Sequence, residues 1–318
     1  MSADDGADVR LGSLALGARV GDGGQGEVYD VAGPGRLLYK SYREPGKADG
    51  GELAALVALR QGLAPAERER LDRETAWPLC RVVDGGRATG FLMRRAPDSM
   101  TWRTSRGETR LTDLSYLLRP PRPAWQTVAQ PSPAERFALL VAVLGLFRWL
   151  HALGLVVGDV SHANVLWTVR PAPAPYLLDC DGVRMTGRPP VLEQADTPDW
   201  HDPLAAAGTA TVDSDRYKAA LVVGRVVSQD AYVTPGEPLR PLSGVLDDRR
   251  ADAVRDLWAQ ASGPRGTRPH LAQWYAALAG RDTIRLMAAE PAPRPAVDRS
   301  KFDGPRTRGR ITLRPSRK

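Results

Sequence analysis

Gly21-Asp22-Gly23-Gly24-Gln25-Gly26-Glu27-Val28 is the stretch on which the reading of this chain turns. Glycines stand at its first, third and sixth positions, and a valine comes two residues after the last. Glycine in those slots lets backbone N–H groups approach a polyphosphate without side-chain interference. The pattern alone is weak, because 31 of the 318 residues are glycine. The residues downstream decide its meaning.

Lys40 ends the apolar run R-L-L-Y-K, one expected strand after the loop. A strand lysine beneath such a loop can neutralise phosphate oxygens. A carboxylate usually holds that lysine, and Glu52 opens the only helix expected in this region, E-L-A-A-L-V-A-L-R. Asp49-Gly-Gly-Glu52 also fits a helix-capping box, and Glu67, Glu69 and Glu74 are the alternatives. Further on, V-V-G-D-V-S-H-A-N-V-L contains Asp159 and Asn164. A carboxylate can take a proton from an attacking hydroxyl, and an amide oxygen five residues later can ligate a divalent cation. The same residues would also serve as plain turn formers. Then comes L-L-D-C-D-G, with Asp179 and Asp181 beside a strand end. Paired carboxylates there are costly unless a cation binds them, and Mg²⁺ is the natural candidate.

Composition sets the frame around these residues. A chain of 318 residues with 42% hydrophobic content is ordinary for a globular protein and long enough for a buried core. No run of 18 apolar residues suggests a membrane span. The start M-S-A-D-D-G-A-D-V-R is acidic and unlike a signal peptide, and two cysteines without metal-type spacing suit a reducing cytoplasm. The net charge is +7, and from Arg294 onward nine basic residues face two acidic ones, so the tail carries the whole excess. A global nucleic-acid surface is not implied. The tail could touch an acidic partner, or simply solubilise the chain.

Residues 1–10 are expected to be disordered. Residues 11–95 alternate short β-type runs with glycine breaks and the one helix. Residues 96–281 are mostly helical, and 282–318 form a disordered basic tail rich in Pro and Arg. The clearest helix starts at Ser132, where Pro133 and Glu135 complete a capping signature. Phe137, Leu140, Val141, Leu144 and Phe147 then share one face as far as His151.

Glycine loop, strand lysine, D-x-x-x-x-N and an apolar strand ending in Asp occur in the order of the protein-kinase signature. The chain resembles a bacterial Ser/Thr-type protein kinase domain over Leu11 to Gly280. The stretch L-H-A-L-G-L-V-V-G-D is similar to the run into a kinase catalytic loop, S-D-R-Y-K-A-A-L to the opening of the large-lobe helix, and T-R-P-H-L to a late R-P-[ST] motif. The resemblance implies an α+β, two-lobed protein-kinase-like fold using ATP and Mg²⁺. Gly21, Asp22, Gly23, Gly24, Gln25 and Gly26 would cover the phosphates, and Val28 would pack on adenine. Met93 would back the nucleotide pocket while the Arg94–Ala96 backbone bonds the adenine edge. Lys40 would hold the α- and β-phosphates, paired with Glu52. Asp159 would deprotonate the acceptor hydroxyl, with Asn164 and Asp179 on Mg²⁺ and Asp181 as a second ligand. Asp215 would brace the catalytic-loop backbone.

Three departures stand out. Val157-Gly158 replaces the usual His-Arg, which removes the arginine that receives activation-loop phosphate. Ser161 replaces the catalytic-loop lysine, a loss that a protonated His162 would partly restore. Asp202-Pro-Leu204 replaces A-P-E, so that Arg268 needs another carboxylate, Asp202 being the candidate. T-P-D-W at 197–200 is still similar to a peptide-docking segment, which favours a protein substrate over a small molecule. A cytoplasmic Ser/Thr protein kinase is therefore expected, with a nucleotide-binding pseudokinase as the alternative and a small-molecule kinase behind it.

Overall fold

Leu37–Tyr42, the strand bearing Lys40, divides its side chains by simple alternation. Leu38, Lys40 and Tyr42 face the main core, while Tyr39 packs with Val9, Cys80, Val82 and Leu92 on the other side. In this computed structural model the described residues are 5–33, 35–193, 197–206 and 208–279. The expected basic tail, 282–318, lies outside them. The described residues belong to one compact unit.

The fold is α+β, with a mixed sheet in the N-terminal region and helices later. The six strands are β1 (Val9–Arg10), β2 (Leu16–Asp22), β3 (Gly26–Val31), β4 (Leu37–Tyr42), β5 (Cys80–Asp84) and β6 (Arg87–Arg94), ordered β1-β5-β6-β4-β3-β2. Only β1 pairs in parallel, with β5; every other neighbour is antiparallel. The expectation of disorder through residue 10 ends too late, because Val9 is 6% exposed and pairs with Val82.

Helix α1 (Gly50–Gly62) buries Leu53, Leu56 and Val57. It is not the only helix of this region: α2 (Pro65–Glu74) follows directly. Its sequence is nearly all charged, with Leu71 its only buried residue, so hydrophobic periodicity does not reveal it. The buried Arg60 ties the two helices together by binding Asp72 twice, at 2.7 and 2.6 Å.

Strands β7 (Thr101–Arg103) and β8 (Thr109–Leu111) form a small hairpin, and α3 (Ser115–Leu118) is the short helix of the connector. Helix α4 (Pro133–Ala152) begins at the expected capping box: Glu135 N–H donates to Ser132 Oγ, and Ser132 N–H to Glu135 Oε2. Its buried face centres on Leu140, Leu144 and Phe147, with Phe137 and Val141 only half-buried. Strand β9 (Leu155–Val156) and the hairpin β10 (Val165–Thr168) and β11 (Ala174–Leu177) follow, then β12 (Arg184–Met185), which pairs with β9. Helices α5 (Val212–Ser228), α6 (Asp248–Ala261) and α7 (Leu271–Ala279) complete the described chain. Among the described residues no helix is long and apolar enough to cross a membrane.

Helix α5 is buried on nearly every side, and at Gly224 it lies directly against the indole of Trp258 from α6. Alanine favours an exposed helix over glycine by about 1 kcal/mol. Here an added Cβ would strike the Trp258 ring, which is fixed by an Nε1–H bond of 2.8 Å to Glu237 O. Overpacking of about 1–3 kcal/mol should win. Gly224→Ala is therefore expected to lower the midpoint of chemical denaturation, and a raised midpoint would contradict this packing.

Candidate functional site

Lys40 is the centre of the site. It is 4% exposed on β4, between Val28 of β3 and Phe91 of β6. Its Nζ donates to Asp181 Oδ1 at 2.7 Å and to Asp179 Oδ1 at 3.3 Å. Burial works against the ammonium, but the two carboxylates outweigh it and hold the Lys40 pKa above that of an ordinary lysine. Burial pushes the Asp181 pKa up, and Lys40 opposes the shift. Asp181 Oδ2 has no hydrogen-bond partner among the described residues, although the buried Tyr42 hydroxyl lies nearby.

Glu52 is not the partner of Lys40. Its Oε1 accepts from Arg188 Nη2 at 2.8 Å and Nε at 3.2 Å. Asp49 caps α1 by accepting from Gly51 and Glu52 N–H, so the capping alternative is the one the backbone uses. Glu74 is taken by Arg70 at 3.1 Å. The carboxylates that reach Lys40 come instead from the turn after β11.

That turn is adjacent to Asp159 and Asn164 because β10 and β11 pair, with Val165 opposite Leu177. Leu178 N–H donates to Asn164 O at 2.8 Å, closing the hairpin base. Asp179 then takes a left-handed backbone, φ 50°, and its side chain remains 55% exposed. Asn164 Nδ2 donates to Asp159 Oδ2 at 2.7 Å and to Asp159 O at 2.9 Å. Thr197 Oγ1 donates to Asp159 Oδ1 at 3.1 Å. Burial raises the Asp159 pKa, opposed by the Lys218 charge and by the bonds from Thr197 and Asn164.

The loop carrying Asp159 is held from below by α5. Asp215 accepts Val157 N–H at 2.7 Å and Gly158 N–H at 2.9 Å, and His151 Nε2 lies 2.9 Å away. This is the bracing expected of Asp215. Gly158 has φ 82°, a left-handed value that favours glycine over the arginine the kinase pattern would put there. Lys218 Nζ donates to Gly158 O at 3.0 Å. Ser161 is fully buried, and its Oγ has no hydrogen-bond partner among the described residues. Burial lowers the His162 pKa, which works against the protonated imidazole that would restore a cation. Asp202 does hold Arg268, by bonds of 2.5 and 2.7 Å between side chains that are each 1% exposed.

At the glycine loop only residues 23–25 lie outside the strands, and Gly23 N–H donates to Gly26 O at 2.9 Å. A Cβ on Gly26 would collide with the Ser41 carbonyl, whereas one on Gly24 would meet open space. Gly21 pairs with Val28, Asp22 is held by Arg19 and Arg43, and Gln25 Nε2 donates to Glu193 O at 3.1 Å. Met93 and Ala96 are buried on and just beyond β6. Two backbone groups expected to bond an adenine are occupied: Arg94 O accepts from Tyr176 OH at 3.1 Å, and Arg95 N–H donates to Arg36 O.

Mg²⁺ takes oxygen ligands and keeps several waters, so it needs few protein groups. The exposed Asp179 carboxylate and the Asn164 amide oxygen suit that role. Asp181 is turned to Lys40 and suits it less. Among the described residues no three His, Cys, Asp or Glu side chains gather as a metal cluster.

Lys218, Thr197 and Arg188 were not foreseen in these contacts. Lys218 had a legible signal, a lone charge in the apolar run Y-K-A-A-L-V-V. Asp215→Asn should turn one amide N–H toward a backbone donor at residue 157 or 158. An unsatisfied buried donor costs about 1–3 kcal/mol. A loss of that size in chemical denaturation is expected, and a neutral result would remove Asp215 as the brace.

No family model matches the chain and no curated protein matches it, so the roles of these residues rest on their geometry.

Proposed function

We propose that this chain is an ATP- and Mg²⁺-dependent phosphotransferase on a two-lobed protein-kinase-like fold, passing the γ-phosphate to a Ser or Thr hydroxyl of a protein. One observation carries the reading. Lys40 from the sheet meets Asp179 and Asp181 at a turn whose base is bonded to Asn164, itself bonded to Asp159. Cation, acid pair, amide and base thus lie in one cluster.

In this reading Lys40 holds the phosphates beneath the Gly21–Gly26 loop. Asn164 and Asp179 hold Mg²⁺, which when bound neutralises phosphate charge. Asp159 orients the acceptor hydroxyl and takes its proton; the Thr197 hydroxyl already makes a contact of that kind. Lys218, behind Gly158, supplies a positive charge near Asp159 in place of the lysine missing at Ser161. Because the catalytic groups outnumber the departures, transfer is favoured over binding alone.

A nucleotide-binding module without transfer is the second reading, and the Glu52–Arg188 pair favours it. With Glu52 held by Arg188, Lys40 closes onto Asp181 rather than onto a helix carboxylate.

The deciding experiment incubates the full chain with Mg²⁺ and γ-labelled ATP, alone and with a generic protein acceptor. Label should move to protein and vanish in Asp159→Asn. Lys40→Met should lower transfer by about a hundredfold, roughly 3 kcal/mol of barrier. A melting shift with ATP but no label transfer would establish the second reading.

A further inference from the structure

Apart from the Lys40–Asp159 cluster, a cavity of about 660 Å³ is walled by four arginines: Arg184, Arg188, Arg216 and Arg265. They come from three separate segments. Arg184 and Arg188 flank the turn after β12, Arg216 lies in the first turns of α5, and Arg265 precedes Gly266 in the turn before α7. Arginines lining one cavity repel one another unless anions sit among them.

The carboxylates present do not match them. Asp213 is the one acid lining the cavity, and its carboxylate is already divided. It accepts Gly266 N–H at 2.9 Å and lies 3.3 Å from Arg268 Nη1 and 3.7 Å from Arg216 Nη1. Glu52 reaches in to Arg188 at 2.8 Å. Arg216 Nη2 otherwise lies 2.8 Å from His270 Nδ1, which is not a carboxylate. Arg265 makes no ion pair among the described residues. Arg184, 8% exposed, feels the charge of Asp215 and is set aside. Among the described residues the other three guanidiniums pair with no carboxylate but Glu52 and the shared Asp213, so one positive charge is in excess. The positive end of α5, a helix of 17 residues, adds to it through Thr211, Val212 and Asp213 in the wall.

We propose that this cavity binds a phosphate monoester. Such a group carries about −1.5 to −2 charges near neutral pH, enough to neutralise the excess together with the helix end. Its oxygens accept the forked donors that arginine presents better than a single carboxylate does. The cavity volume falls in the range of small-molecule sites, so the ligand brings an organic part as well as the phosphate. None of its lining residues is Lys40, Asp159, Asn164 or Asp179, so the proposal stands whether or not the chain transfers phosphate.

The test is calorimetric titration of the full chain with O-phospho-L-threonine at about 0.15 M salt, where diffuse attraction is screened, with inorganic phosphate as competitor. Saturable binding is expected, and Arg216→Gln/Arg265→Gln should weaken it by about tenfold or more. Lys40→Met should leave it unchanged, which separates this cavity from any nucleotide site. Arg265→Gln alone, an exposed change, should fold normally and still weaken binding if the double variant does not fold. No saturable binding to the unaltered chain, or equal binding to folded variants, would overturn the assignment.

Discussion

The Lys40 ammonium, buried on β4 and clamped by Asp181, is the interaction around which this molecule is arranged. Burying one charge costs several kcal/mol, and burying two pays only if they meet with good geometry. The requirement couples two parts of the chain separated by 141 positions. Strand β4 must turn Lys40 toward the main core, and the β10–β11 hairpin must deliver its terminal turn to the same point. Asp179, held in a left-handed conformation, remains exposed while Asp181 is sealed in. The two neighbouring carboxylates therefore acquire different environments: one is a structural counter-ion, the other is open to a ligand.

A second layer of polar contacts rises from α5. Asp215 and Lys218 share one face of that helix and take opposite partners, Asp215 the N–H groups of residues 157 and 158, Lys218 the carbonyl of Gly158. The loop bearing Asp159 is thus held by donors and acceptors on a buried, rigid element, which positions a side chain better than solvent-exposed loop contacts could. Arg268 and Asp202 repeat the device nearby, with the acid supplied two residues ahead of the leucine at 204.

Much of this was legible. The helix at Glu52–Arg60, the apolar face along α4 and the Ser132 capping box come from local pattern, because caps and amphipathic faces are encoded within a few residues, whereas the bracing role of Asp215 comes from the resemblance of S-D-R-Y-K-A-A-L to a known motif. The partner of Lys40 was not legible. Glu52 and Asp181 are both carboxylates in plausible places, and choosing between them depends on where α1 sits relative to the sheet. Helix α2 escaped because its face is charged and its stability comes from Arg60–Asp72 rather than from an apolar stripe. The four-arginine cavity was likewise invisible, since its arginines come from positions up to 81 residues apart, 184 to 265.

Sequence alone marked out the candidate residues: the glycine loop, the strand lysine, the Asp159–Asn164 spacing and the paired aspartates. Only the tertiary structure decided which of them meet. It sent Glu52 to Arg188, Lys40 to Asp181, and Thr197 to Asp159. The physical reason is that spacing along a chain limits local geometry, whereas the pairing of buried charges is settled by the packing of distant elements against one another.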